Sequence, residues 1–249
     1  MIAVVGATGK TGRAVVSELT ELGEDPVCVV RDLEKGHAVL GDKARIAVAE
    51  ITDREALKHA FQGVKRVFLV TGHNPQMAEQ QISVLEAARA AGAELLVKVS
   101  AGEAMARPDS ESVVGRASCV IEDALKKSGL DWIILRPGLF MQNTFLQAQL
   151  IKNEGKLVLP FAADLPIAFI DVRDTGALGA RMLIEPDRHI GKEHSFTGAL
   201  TNYGELAGVF SKVLGKPVTY VSVSFEQAEA ALKGQGMPDW LVTHLLTVA

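Results

Sequence analysis

The sequence predicts an α/β protein built on a doubly wound parallel sheet, with a small C-terminal α/β cap. Three observations carry that expectation. Apolar runs of strand length alternate with helix-period segments from the N-terminus to Pro137. Those runs are nearly continuous in apolar character, as strands covered on both faces are. A glycine-rich turn, Gly6 to Gly12, joins the first strand to the first helix.

The elements follow in order. Ile2–Val5 reads as the first strand and Thr11–Leu22 as the first helix. Val27–Val30, Ala44–Ala49, Arg66–Val70, Leu95–Ser100 and Trp132–Leu135 read as further strands. Between them lie helical segments at Leu33–Leu40, Arg54–Phe61, Gln76–Ala91 and Ser112–Lys127. In Gln76–Ala91 the residues Met77, Ile82, Val84, Leu85 and Ala88 form a stripe at helical spacing, and Gly92 ends it. Strict alternation of this kind implies right-handed βαβ crossovers.

After Pro137 the rhythm changes. Phe140–Lys152 reads as one helix, followed by short strands at Leu157–Leu159 and Ile167–Ile170. Asp174–Ile184 and Asn202–Leu214 are helical, His194–Thr197 and Val218–Val223 are strands, and Phe225–Lys233 closes as a helix. No linker rich in Pro, Gly or Ser interrupts the chain. Residues 1–138 are therefore expected to form the core. Residues 139–249 are expected to form mostly a substrate-binding cap, with segments around 167–184 and 194–197 returning to the core.

Composition narrows the function. With 249 residues, 48% of them hydrophobic, the chain is long enough to bury a substantial core. A net charge of −4 supplies no basic field for a phosphate backbone, so nucleic acid is not an expected ligand. No apolar run approaches the roughly 18 residues of a membrane span, and no basic leader precedes the first strand. A cytoplasmic protein is expected, with Cys28 and Cys119 reduced. The six histidines show no metal-ligand spacing with one another or with the cysteines.

The turn Gly6-Ala7-Thr8-Gly9-Lys10-Thr11-Gly12 reads as an anion site. Gly6 permits the tight turn, Gly9 lets the backbone approach a pyrophosphate, and Gly12 lets the helix pack closely on the strand. Free amides and the positive end of the helix dipole then face the phosphates. Gly9-Lys10-Thr11 imitates the end of a P-loop, but the glycine needed five positions before Gly9 is Val4, inside the strand. The spacing therefore favours a Rossmann-type dinucleotide site.

The second strand bears on which dinucleotide. It ends in Arg31-Asp32. Arg31 is suited to fork onto a ribose 2′-phosphate, whereas a carboxylate there would suit the 2′-hydroxyl of NAD. Lys10 and Arg13 add positive charge nearby. A slip of one residue would instead place Asp32 in the pocket, and Arg31 and Asp32 can equally form a surface pair. NADP(H) is the preferred cofactor, with NAD(H) as the alternative. Glu50-Ile51 is placed to flank the adenine, or to leave a carboxylate in solvent. Thr71 and Gly72 let the middle of a cofactor pass. His73 is either a nicotinamide or substrate contact or an exposed loop imidazole.

These residues resemble the NmrA-like group of atypical short-chain dehydrogenase/reductases, which includes quinone reductases and triphenylmethane dye reductases. The resemblance runs over essentially the whole chain. It rests on the glycine turn with Val30-Arg31-Asp32, on Phe68-Leu69-Val70-Thr71, on Val97-Lys98-Val99-Ser100-Ala101 and on Ser128-Gly129-Leu130-Asp131-Trp132. Leu135-Arg136-Pro137-Gly138-Leu139-Phe140-Met141-Gln142-Asn143 and Phe169-Ile170-Asp171-Val172-Arg173-Asp174 complete it. It implies that Gly6, Thr8, Gly9, Lys10, Thr11, Arg31, Thr71, Ser100 and Pro137 line an NADP(H) site. It also implies that Phe140, Met141 and Asn143 face the nicotinamide or the substrate.

One departure shapes the chemistry. The Tyr-x-x-x-Lys pair of standard short-chain dehydrogenases is missing, since neither Tyr203 nor Tyr220 has a lysine four residues on. Ser118 stands where relatives often carry His, in the run Ser118-Cys119-Val120-Ile121-Glu122. A general acid is typically worth about 10² to 10⁴ in rate. Its loss points to hydride transfer from NADPH to a small electrophilic acceptor such as a quinone, whose product takes its proton readily. Ser100 or Ser118 would donate hydrogen bonds. Lys98 shares strand parity with Ser100 and would act as an acid if buried; the alternative is a lysine snorkelling to a carboxylate at the sheet edge. Phe140, Met141, Phe145, Phe161 and Phe169 supply apolar lining or core. The other function left open is a non-catalytic NADP(H) redox sensor acting through a protein partner, because the resemblance includes a dinucleotide-binding transcriptional regulator. Homodimerisation is left open as well.

Overall fold

The computed structural model describes residues 1–247; Val248 and Ala249, the last two positions of the expected cap, lie outside the described residues. In chain order the elements are β1 (Ile2–Val5), α1 (Lys10–Glu21), β2 (Val27–Val30), α2 (Leu33–Leu40), β3 (Ile46–Val48), α3 (Arg54–Ala60), β4 (Arg66–Leu69) and α4 (Met77–Ala90). Then come β5 (Leu95–Val99), α5 (Val113–Lys126), β6 (Asp131–Pro137), β7 (Leu139–Phe140), a 3₁₀ segment (Met141–Gln147) and α6 (Ala148–Glu154). The remainder is β8 (Lys156–Leu159), β9 (Ile167–Ile170), α7 (Val172–Ile184), β10 (Lys192–Phe196), β11 (Ala199–Thr201), α8 (Tyr203–Leu214), β12 (Thr219–Ser222), α9 (Phe225–Gly234) and α10 (Asp239–Thr247).

The chain forms two compact units. The first joins Met1–Pro137 to Val172–Phe196, and the second joins Gly138–Asp171 to the chain from Thr197 onward. The first unit holds a seven-stranded sheet in the order β10-β6-β5-β4-β1-β2-β3, parallel throughout. Strand order reverses between β1 and β4. Ligands of open parallel sheets bind in the crevice outside the strand C-termini at such a point.

Successive strand residues serve opposite layers, so each apolar run is buried twice. Val5, Val29, Leu69, Leu96 and Ile134 pack with Leu57 of α3, Val84 and Ala88 of α4 and Leu125 of α5. Val4, Cys28, Phe68, Val97 and Leu135 pack with Val15 and Leu19 of α1 and Ala180 and Leu183 of α7. Each large side chain so buried contributes about 2–3 kcal/mol. Helices α1 and α7 meet closely, because a Cβ on Gly176 would stand 2.6 Å from that of Ala14. Cys28 and Cys119 are both free, and burial, helped by Asp25, pushes the Cys28 thiol up to about 11. Among the described residues, no helix is long and apolar enough to cross a membrane.

The second unit has its own core of Ile151, Leu157, Ile167, Phe169, Tyr203, Ala207 and Val218. Its strands form two small sheets, β11-β9-β7 and β12-β8. Three features differ from the sequence expectation. Phe140–Lys152 is not one helix: Phe140 ends β7, and the 3₁₀ segment that follows buries no residue, so no apolar face holds it in α-helical form. The strand Ile167–Ile170 pairs with β11 and β7 inside the second unit, and the chain rejoins the first only at Val172. Thr197 falls in the second unit, where its hydroxyl donates to the Phe169 carbonyl at 2.9 Å.

Candidate functional site

The glycine turn is shaped by close approach. Gly6 has φ +81°, and a Cβ there would stand 1.9 Å from the Val70 carbonyl oxygen of the neighbouring crossover. A Cβ on Gly12 would stand 2.1 Å from the Gly6 oxygen, so α1 starts in direct contact with the turn. Gly9 is the N-cap of α1. It presents no side chain to the first-turn amides, and that turn contains no acidic residue. Thr8, Gly9 and Lys10 are exposed while Thr11 and Gly12 are buried beneath them. An uncapped, glycine-rich helix start with a positive dipole end fits a pyrophosphate.

At the end of β2 the two candidate charges have different employments. Asp32 is the N-cap of α2, accepting from the Lys35 amide at 3.0 Å and pairing with the Lys35 ammonium at 3.6 Å. These bonds, the amide first, hold its carboxyl below the usual range. Asp32 thus serves the helix start, and the exposed Arg31 occupies the strand-end position. Glu50 is exposed two residues beyond β3, and Ile51 is half-buried against the α3–α4 layer of the core.

Beyond β4, the Thr71 hydroxyl accepts a hydrogen bond from the buried Gln81 amide of α4 at 2.7 Å. The Thr71 proton is left to point elsewhere. Gly72 has open space around its Cα. The following loop is braced by Asn74, which donates to Gln80 at 2.9 Å and accepts from the Gln76 amide at 2.9 Å. His73 lies in this loop. Although the residue is exposed overall, surrounding protein atoms and then the Lys98 charge lower the basicity of its imidazole.

The C-terminal ends of β5 and β6 carry a buried charged cluster. Lys98 is 1% exposed, Ser100 8%, Glu122 5% and Arg136 6%. The Lys98 ammonium donates to the Ser100 hydroxyl at 3.1 Å and to the Val99 carbonyl at 3.0 Å. The Ser100 hydroxyl donates to Glu122 Oε1 in a short hydrogen bond. Arg136 clamps both Glu122 oxygens, at 2.9 and 2.7 Å, and donates to the Ala101 carbonyl at 2.7 Å. Glu193 of β10 accepts from Arg136 at 2.5 and 3.0 Å and from Lys126 at 2.6 Å. Lys126, then Arg136, holds the Glu193 carboxyl low. Burial drives the Lys98 ammonium down to about 8, with Glu122 pulling it up and Arg136 pushing it further down. Lys98 is therefore a buried amine and does not snorkel to the sheet edge.

The structure brings Lys98 and Ser100 together and places Ser118 on the same α5 face as Glu122, one turn closer to the helix start. Ser118 is itself buried. Pro137 is half-buried at the end of β6, opposite Phe196. Phe140, half-buried, and Met141 and Asn143, both exposed, belong to the second unit. There Tyr203 stacks on Tyr220 with ring centroids 5.4 Å apart, and the Tyr220 hydroxyl donates to the Phe161 carbonyl at 2.7 Å. Burial, then Tyr220, pushes the Tyr203 phenol up to about 12, so neither tyrosine is poised as an acid. Sequence reasoning missed Glu122, Arg136, Glu193 and Gln81. A signal existed for the first two, since each is a charged residue on an otherwise apolar, core-facing register.

Fold and site together define a Rossmann-type α/β protein with a glycine-rich, uncapped helix start at the sheet's switch point. The NmrA-like family model matches residues 1–248, and the chain belongs to that family. An NAD(P)H azoreductase of Xenophilus azovorans is 34% identical over 242 residues, spanning 97% of this chain and 83% of the relative. Quinone oxidoreductase 2 of Escherichia coli is 32% identical over 251 residues, spanning 98% and 85%. The crystal structure of an NADPH-dependent quinone oxidoreductase of Escherichia coli complexed with NADPH matches with a TM-score of 0.86 and 30% identity, covering 100% of this chain and 87% of that one.

Proposed function

We propose that this chain is an NADPH-dependent reductase that passes hydride to a small electrophilic acceptor of the quinone class. The observation that carries this reading is the first crossover. Its uncapped glycine turn lies at the switch point, and the NADPH-bound quinone oxidoreductase resembles the whole chain. In this reading the α1 amides bind the pyrophosphate and Arg31 forks onto the 2′-phosphate. The engagement of Asp32 Oδ1 as a helix cap supports that choice over NADH, because it ties one oxygen of the carboxylate to the start of α2.

The bound dinucleotide supplies hydride, and the protein supplies position. Thr71, its oxygen already accepting from Gln81, is set to donate its proton to a ligand. An azo compound is a second acceptor of suitable electrophilicity, given the azoreductase among the relatives. The test is a titration of NADPH fluorescence with the protein, followed by addition of quinones and azo dyes while absorbance of the reduced cofactor is followed. Saturable binding and oxidation with at least one quinone are expected. Tight binding with no turnover on any acceptor would overturn the reading and leave a redox sensor.

A further inference from the structure

The cluster behind Ser100 contains one group that cofactor binding alone does not employ. Lys98 is a fully buried amine whose hydrogen bonds go to the Val99 carbonyl and to Ser100. Ser100 stands immediately beyond β5, at the C-terminal edge of the sheet and next to β4, which borders the switch point. We propose that Lys98 is the proton store of the reduction, releasing its proton through the Ser100 hydroxyl to the reduced acceptor, while Glu122 positions that hydroxyl. The inference rests on the reductase reading above and adds the source of the proton.

Atoms and charges balance along this route. Reduction by hydride would leave the acceptor as an oxyanion. A bond forms between that oxygen and the Ser100 proton, while a Lys98 N–H bond breaks to restore the Ser100 hydroxyl. Lys98 is left as a neutral amine and is reprotonated from solvent after the product departs. The geometry accommodates the swing. When Ser100 turns its proton away from Glu122, that carboxylate still holds two bonds from Arg136, so no buried oxygen is orphaned. Arg136 is permanently charged and ends the path on its side.

The groups that set the charge of Lys98 come from each neighbouring element. Glu122 on α5 favours the ammonium and Arg136 on β6 disfavours it, while His73 in the loop after β4 is depressed by burial first and then by Lys98. Glu193 on β10 acts on Arg136. Burial, the largest influence, brings the amine down to about 8, close to the pH at which a proton donor must work.

Two measurements on the full chain test this. In the cofactor-free protein, a lysine 13Cε resonance titrating near pH 8 is expected, and it should vanish in Lys98→Met. In turnover with excess NADPH and a quinone, kcat should fall above about pH 8. Lys98→Met should remove that limb and lower kcat at neutral pH by about 10²-fold. Glu122→Gln should move the limb to lower pH, a shift that a merely structural role would not produce. If Lys98→Met fails to fold, Ser100→Ala decides: kcat should drop by at least tenfold while the lysine resonance still titrates, and an unchanged kcat overturns the relay. The relay is also overturned if Lys98→Met keeps the alkaline limb, or if no lysine titrates near pH 8. No turnover by the wild-type protein at any pH defeats the reductase reading and the relay together, whereas turnover without the limb defeats the relay alone.

Discussion

The two ends of one sheet solve the problem of holding charge in different ways. At β1 and β2 the proposed phosphate site would use backbone, in glycines and an uncapped helix start, with the exposed Arg31 beside it. At β5 and β6 the protein uses buried side chains from β5, α5 and β6, joined at the rim by the more exposed Glu193 of β10, each satisfied by the next. A backbone site tolerates change in its side chains but not the addition of a Cβ. A side-chain cluster is vulnerable at every member, because removing one leaves its partner charged and unpaired in a poor solvent.

Substitutions at the two ends should separate these behaviours. Glu122→Ala strands the Arg136 guanidinium against a single remaining carboxylate and removes the acceptor of Ser100; a loss of about 3–5 kcal/mol in urea unfolding is expected. An unchanged midpoint would show that the cluster does not couple α5 to the sheet. Gly6→Ala is expected to cost about 2–4 kcal/mol and to abolish detectable NADPH binding, since a side chain meets the Val70 carbonyl in an unfavourable backbone conformation. Normal binding by that variant would mean that the turn is not where the phosphates sit.

Smaller effects sharpen the contrast within the backbone end. Arg31→Asp should weaken NADPH by about 1–3 kcal/mol and spare NADH, read as the ratio of the two dissociation constants. If the ratio stays constant, the 2′-phosphate pocket lies elsewhere. Asp32→Ala should cost about 1 kcal/mol of stability through the lost α2 cap and leave the cofactor preference alone. A change of preference would return Asp32 to the ribose.

The same contrast explains what was readable in the sequence. The glycine turn could be recognised because the residue type is itself the signal and its spacing is local. The alternation of strands and helices was equally local, and it fixed the doubly wound sheet. Arg136 and Glu193, by contrast, are 57 residues apart, and no local rule joins them. Lys98 was half readable, since strand parity placed it beside Ser100, but its burial depends on α5 and β6. The segment after β7 misled because Phe140, Phe145, Leu146 and Leu150 are apolar without a consistent face, and Phe145 and Leu146 are in fact exposed. The helix Asp239–Thr247 went unread, being short and following two others in an already irregular region.

The position of Glu193 has a consequence for how the protein is made. As the chain emerges during synthesis, β6 and α5 appear well before β10, so the Arg136 guanidinium waits with one carboxylate and the flank of β6 stays unzipped. Nascent chains halted in that interval carry an open, hydrogen-bond-hungry strand, the feature that invites aggregation. Chaperone dependence should therefore peak for fragments ending between Pro137 and Phe196 and fall once β10 has left the ribosome.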